Sequence, residues 1–156
     1  MTGLSSYDST RVSYELSPVI LHELGLEVAL GWLADQIQKQ HNIAVSFTSD
    51  KHAKQLNDDA KIILYRAVSE LLNNAVKHAW AQRAAVSIKR RKGQVHITVE
   101  DDGVGFDPVE LEGVAATERG FGLFSIRERL HYLGGSIQIT SARYKGTRVT
   151  LLAPLK

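Results

Sequence analysis

The chain has 156 residues, 44% of them apolar and 23% charged, with three prolines and no cysteine. That length suits one domain with a single core, the composition is globular rather than disordered or fibrous, and without cysteine there is neither a disulfide framework nor a thiolate metal site. A net charge of +2 gives little general attraction to nucleic acid or anionic lipid, and no apolar run nears the ~18 residues of a membrane span, so neither is expected as a direct partner.

In chain order, Leu26, Val28, Ala29, Leu30, Trp32, Leu33 and Ile37 recur at mostly helical spacing, which predicts an amphipathic helix over residues 26–40. Residues 43–48 read as a short strand, and a polar loop then reaches Asn57 and Asp58, either of which can cap a second helix running to about Ala79. Two alternating strands, 85–90 and 95–101, reverse at Lys92-Gly93. The basic run 89–92 at that turn has no interleaved aromatic residues and reads as a solvated hairpin end rather than a nucleic-acid platform. Residues 102–120, with Gly103, Gly105, Pro108, Gly113 and Gly120, are expected to be a long loop, and loops of that length usually serve a function. A helix over 121–133 is stopped by Gly134-Gly135, and strands 136–140 and 148–152 follow, joined by the glycine turn 144–147. Strands and helices do not alternate as in a doubly wound fold. The expected class is therefore α+β, a two-layer α/β sandwich whose mixed, mostly antiparallel sheet is covered on one face by helices.

Three stretches carry candidate chemistry. On the second helix, Leu64, Val68, Leu71, Leu72, Ala75 and Ala79 gather on one side, while Arg66, Glu70, Asn73, Asn74 and Lys77 gather on the other with His78 at its edge. A solvent face would explain the Glu and Lys, but adjacent asparagines are poor helix formers and need another reason. At the end of the fifth predicted element, a strand runs directly into Asp102-Gly103-Val104-Gly105, where glycines permit close backbone approach and an aspartate can accept from an amino group such as a purine amine. At the loop-to-helix junction, Gly120-Phe121-Gly122-Leu123 would offer backbone N–H groups at the positive end of a helix, which favours phosphate. Neither a Rossmann fingerprint nor a P-loop is present.

The ordered set is more specific than its parts. Glu70-x-x-x-Asn74-x-x-Lys77-His78-Ala79, Asp102-Gly-Val-Gly105, Gly120-Phe-Gly122-Leu123 and Lys145-Gly146-Thr147 resemble the Bergerat-fold (GHKL) ATPases, and Lys77-His78-Ala79 with Glu23-Leu-Gly-Leu resembles the nitrate-sensor branch of bacterial histidine kinases. The resemblance covers residues 17–156, with 1–16 expected as an N-terminal extension or remnant of a linker and the domain's first helix placed around His22. It implies an ATP-binding catalytic domain of a two-component sensor kinase, an ATP:protein-histidine phosphotransferase that uses ATP and Mg²⁺. Glu70 is implied as the base, Asn74 as the Mg²⁺-holding residue and Asp102 as the partner of the adenine amine. Lys77 and His78 would lie near the phosphates; Gly103, Gly105, Gly120, Phe121, Gly122 and Leu123 would form the lid hinges and phosphate backbone, and Thr147 would lie beside the adenine-binding aspartate. Residues 107–119 would be a mobile lid.

The implied partners are ATP or ADP, a dimerisation helix bearing the phosphoacceptor histidine, and indirectly a response regulator. None of the six histidines, His22 included, sits in the basic long-helix setting of an acceptor, so the acceptor is expected outside this chain and the chain alone is not expected to autophosphorylate. The domain is expected to be cytoplasmic, whether or not the parent protein is membrane-anchored. An anti-sigma-type serine kinase shares the pocket, but Lys77-His78-Ala79 argues against it; a non-catalytic nucleotide-binding regulator would have no need of Glu70.

Overall fold

The computed structural model describes residues 16–105 and 118–155, with side chains in the last helix described from Gly122 onward. Nine elements are described: α1 (Pro18–Leu24), α2 (Leu26–His41), β1 (Ala44–Ser49), α3 (Asp58–Lys77), β2 (Arg83–Arg91), β3 (Gln94–Asp101), α4 (Glu118–Tyr132), β4 (Ser136–Ser141) and β5 (Thr147–Pro154).

Local chemistry accounts for most of the boundaries. The hydroxyl of Ser17 accepts from the Ile20 N–H at 3.1 Å and Pro18 supplies a preset φ, which together start a helix too short to show in apolar periodicity. At α3, the Asn57 side chain accepts from the Ala60 N–H at 2.8 Å, and Asp58 and Asp59 place negative charge in the first turn, where the helix dipole favours it. The Lys92-Gly93 turn has positive φ at both positions, 50° and 76°, the handedness that matches a twisted hairpin.

The five strands form one sheet in the order β1-β2-β3-β5-β4. β1 and β2 pair in parallel and every other pair is antiparallel, so the expected mixed, mostly antiparallel sheet is present. Parallel strands need a crossover connection, and here that crossover is α3. Alternate strand residues, among them Val86, Ile88, Val95, Ile97, Val99, Val149 and Leu151, are buried toward the helices and meet Leu30, Leu33, Leu64, Val68, Leu72 and Leu130 in one core. The side of α3 predicted to be core, Leu64 through Ala79, is buried at every named position.

One boundary departs from expectation. α4 begins at Glu118 instead of Phe121, so Gly120 lies within the helix rather than at the loop end. Glycine signals a loop through its entropy cost in a helix, and here tertiary packing overrides that cost. The expected lid, 107–119, lies outside the described residues except for its last two positions, which belong to α4.

Candidate functional site

The polar side of α3 is not a plain solvent face. Glu70, Asn73, Asn74 and His78 are half-buried, while Arg66 and Lys77 are exposed. Below Asn74 lies a small cavity of about 20 Å³ between α3 and the sheet, lined by Leu71, Asn74, Val99, Asp101, Leu123 and Thr147 among others. The polar groups come from three elements: Asn74 from α3, Asp101 from the end of β3, and Thr147 from the start of β5. β3 and β5 bring the last two side by side, since Asp101 and Thr147 are register partners.

Strand alternation decides which aspartate reaches this cavity. Val95, Ile97 and Val99 face the helices, and Asp101 continues that series at spacing two. Its Oδ1 accepts the Gly103 N–H at 2.8 Å. Asp102 is exposed, and its Oδ1 accepts from the backbone N–H groups of Gln82 at 2.9 Å and Arg83 at 3.0 Å. The bond from the Arg83 N–H, helped by that from Gln82, holds the Asp102 carboxyl below the usual carboxylate range. Asp102 therefore ties the start of β2 to the end of β3 and does not line the cavity, whereas its neighbour, which sequence reasoning passed over, does. A larger groove of about 560 Å³ borders both Asp101 and Asp102, with Gln38 of α2 and Ser46 of β1 on its wall, but Glu70, Asn74 and Thr147 do not line it.

The glycines next to these residues are required by packing. A Cβ on Gly103 would lie 2.3 Å from the carbonyl oxygen of Ala79, and the following Val104 N–H donates to that same oxygen at 2.8 Å. Gly146, at φ +78°, would place a Cβ 2.3 Å from the Asp101 carbonyl oxygen. These close approaches clamp the Asp101–Gly105 segment between the end of α3 and the β4–β5 turn. Gly105 is seated the same way against Ala142. Ser141, which sequence reasoning did not single out, supports Thr147: its Oγ donates to the Gly146 carbonyl at 3.0 Å and lies 2.9 Å from Thr147 Oγ1.

At the other wall stands α4. Leu123 lines the cavity, and Gly122 packs on Glu70 so closely that a Cβ there would be 3.0 Å from Glu70 Oε1. The structure thus brings Glu70, Asn74, Gly122, Leu123 and Thr147 together, and Gly103 and Gly105 border them. Lys77 and His78 close α3, the His78 N–H donating to the Asn74 carbonyl at 2.9 Å. Gly120 and Phe121 sit in the first turn of α4, where backbone N–H groups have no intrahelical partner.

A sheet covered on one face by helices, with a polar cavity between its central strands and the crossover helix, is the arrangement of one ATPase class. The family model described as histidine kinase-, DNA gyrase B- and HSP90-like ATPase matches residues 59–156, and the chain belongs to that family. It is 32% identical over 148 residues to the oxygen sensor histidine kinase NreB of Staphylococcus carnosus, covering 95% of this chain and 42% of NreB. A sensor-like histidine kinase of Chloroflexus aurantiacus is 31% identical over 155 residues, covering 97% of this chain and 26% of that protein. The sensor histidine kinase MctS of Rhizobium johnstonii is 32% identical over 144 residues, with coverage of 92% and 31%. The chain thus spans less than half the length of these relatives. Among solved structures, the blue-light activated histidine kinase of Erythrobacter litoralis EL346 superposes with a TM-score of 0.65 at 28% identity, over 83% of this chain and 42% of that one.

Proposed function

We propose that the cavity between α3 and the sheet receives the adenine of ATP, and that the chain transfers the γ-phosphate to a histidine on a dimerisation helix of its parent kinase. The observation that supports this reading is the convergence of Asn74, Asp101 and Thr147 on one cavity, with Glu70 a single helical turn before Asn74 on α3. Family membership supports ATP as the ligand, and relatives named as sensor histidine kinases favour histidine over serine as the acceptor.

Asp101 takes the role that the resemblance gave to Asp102. A carboxylate on the cavity wall can accept from the exocyclic amine of a purine, and Thr147 beside it adds a hydroxyl. The cavity has room for about one water, so a purine enters only as the Leu123 side chain moves aside. From the adenine, the triphosphate would run along α3 past Asn74 toward Glu70. Asn74 would hold Mg²⁺ through its side-chain amide oxygen, beside the phosphates. When bound, Mg²⁺ neutralises charge on the phosphates.

In the transfer, the bond between the γ-phosphorus and the β–γ bridging oxygen breaks and a bond from an imidazole nitrogen of the acceptor to phosphorus forms. ADP leaves with the electron pair. The imidazole N–H proton must depart, and the Glu70 carboxylate stands where it can orient the ring and take that proton. A response regulator would then receive the phosphoryl group from the histidine.

Calorimetry with ATP and ADP tests the pocket. Asp101→Ala should weaken both nucleotides by roughly tenfold to a hundredfold, the cost of losing a hydrogen bond to a charged acceptor. Asp102→Ala should leave affinity within a few fold and lower thermal stability instead. The reverse ranking would move the adenine contact back to Asp102.

A further inference from the structure

Glu70 walls a second cavity as well. Between α3 and α4, toward the N-terminal end of α3, lies a pocket of about 170 Å³ lined by Arg66, Glu70, Gly122, Ser125 and Arg129 among others. Arg66 is one turn before Glu70 on α3; Ser125 and Arg129 are about one and two turns beyond Gly122 on α4. The two helices therefore meet at the Glu70–Gly122 contact, with the adenine cavity on one side of it and this pocket on the other.

Exposed arginines without an ion pair are ordinary, Arg83, Arg90, Arg91 and Arg127 being others among the described residues; what sets this pair apart is that both line one pocket beside Glu70. Among the described residues, neither guanidinium forms an ion pair, and Arg66 does not pair with Glu70 although i,i+4 spacing puts them on one stripe. Two cations on facing helices, one carboxylate and a half-buried hydroxyl thus share a pocket with positive charge left over. Guanidinium forks match tetrahedral oxyanions bidentately, and a serine hydroxyl can donate a further bond.

We propose that this pocket is a phosphoryl subsite, in which Arg66, Arg129 and Ser125 hold a tetrahedral phosphate dianion against the Glu70 side of the site. The proposal rests on the reading of Glu70 as the transfer end of the nucleotide site. The ligand class is a terminal phosphoryl group, supplied either by the γ-position of ATP or by the phosphorylated acceptor. In either case the arginines position the group and offset its charge beside Glu70.

Calorimetry with ATP and ADP, and ³¹P line broadening with inorganic phosphate, test this on the full chain and on Arg66→Gln, Arg129→Gln and the two Arg→Lys variants. If the γ-phosphate occupies the subsite, the ATP-to-ADP affinity ratio drops about tenfold in each Gln variant. If the acceptor's phosphoryl group occupies it, that ratio holds and the broadening of inorganic phosphate disappears. Lysine at either position should restore part of whichever signal is lost, which a merely structural role for the arginines would not produce. An unchanged ratio together with unchanged phosphate broadening in both Gln variants overturns the subsite. Absence of ATP and ADP binding by the parent chain would instead overturn the nucleotide reading, and the phosphate titration would still decide the subsite by itself.

Discussion

Two polar clusters in this domain are built in opposite ways. Near the start of the loop after β1, the Asp50 carboxylate accepts from Lys54 Nζ at 2.5 Å, the Arg90 N–H at 2.8 Å and the His52 N–H at 3.1 Å. Lys54, whose side chain is only 3% exposed, spends its remaining donors on Glu27 at 3.2 Å and the His52 carbonyl at 2.7 Å. Donors and acceptors there match, and the cluster ties α2, the loop and β2 together. Along the α3–α4 groove, Arg66, Glu70 and Arg129 stand within one pocket without such matching among the described residues. Polar groups that have found protein partners hold a fold; exposed ones gathered without such partners bond to water and stay open to a ligand.

The largest effect that would sharpen this contrast concerns Glu70. Glu70→Gln keeps shape and hydrogen-bonding reach but removes basicity. Phosphate transfer to an acceptor helix in the parent kinase should slow by roughly 10²–10⁴-fold while ATP affinity on this chain stays within a few fold. Radiolabel transfer and calorimetry measure the two halves, and full transfer activity in the variant would leave Glu70 no role as a base.

At the matched cluster the effect should be one of stability alone. Lys54→Ala removes a buried cation and leaves Asp50 and Glu27 without it, which should lower the melting temperature by a few degrees, since both carboxylates keep some access to water. Thermal unfolding should register that loss with nucleotide affinity unaltered. A drop in ATP affinity with unchanged stability would erase the distinction between the two regions.

The smallest effect is on acid stability. Asp50 and Asp102 both have carboxyls held below their ordinary range, Asp50 chiefly by Lys54 and Asp102 chiefly by the Arg83 N–H. A depressed carboxylate contributes stability that is present above the unfolded pKa, about 3.9, and is lost as pH falls through the folded value. Melting temperature should therefore fall as pH drops below about 4, and Asp102→Asn should flatten part of that limb. An identical pH profile in parent and variant would contradict the role of Asp102 as a backbone tie.

Much of the fold was legible because it depends on periodicity. The buried stripe of α3 and the alternation in β2 and β3 follow from spacing alone, as do the Lys92-Gly93 and Tyr144–Thr147 reversals from turn chemistry. α1 escaped periodicity because seven residues are too few to show it, although Ser17-Pro18 is a start signal. The α4 boundary was misjudged because Gly120 looks like a loop residue, and what Gly122 packs on, the Glu70 side chain across the groove, is a contact between distant positions. Asp101 was within reach of sequence reasoning, since the alternation that buries Val95, Ile97 and Val99 also points residue 101 inward. The glycine that follows drew attention to Asp102 instead. Ser141 and the Arg66–Arg129 pairing depend on which hairpin and which helix fold back beside the site, and no local pattern carries that.

The crossover nature of α3 has a consequence for the order in which the domain assembles. The β2–β3 and β4–β5 pairs join strands that are near in sequence and close quickly, whereas the parallel pairing of β1 with β2 must wait until the whole of α3 has been looped across the sheet. Because Asn74 and Glu70 ride on that loop while Asp101 and Thr147 sit on two different hairpins, whose β3–β5 pairing is itself non-local, the pocket is joined only when both slow closures are complete. In refolding, recovery of nucleotide binding should therefore trail the recovery of sheet structure.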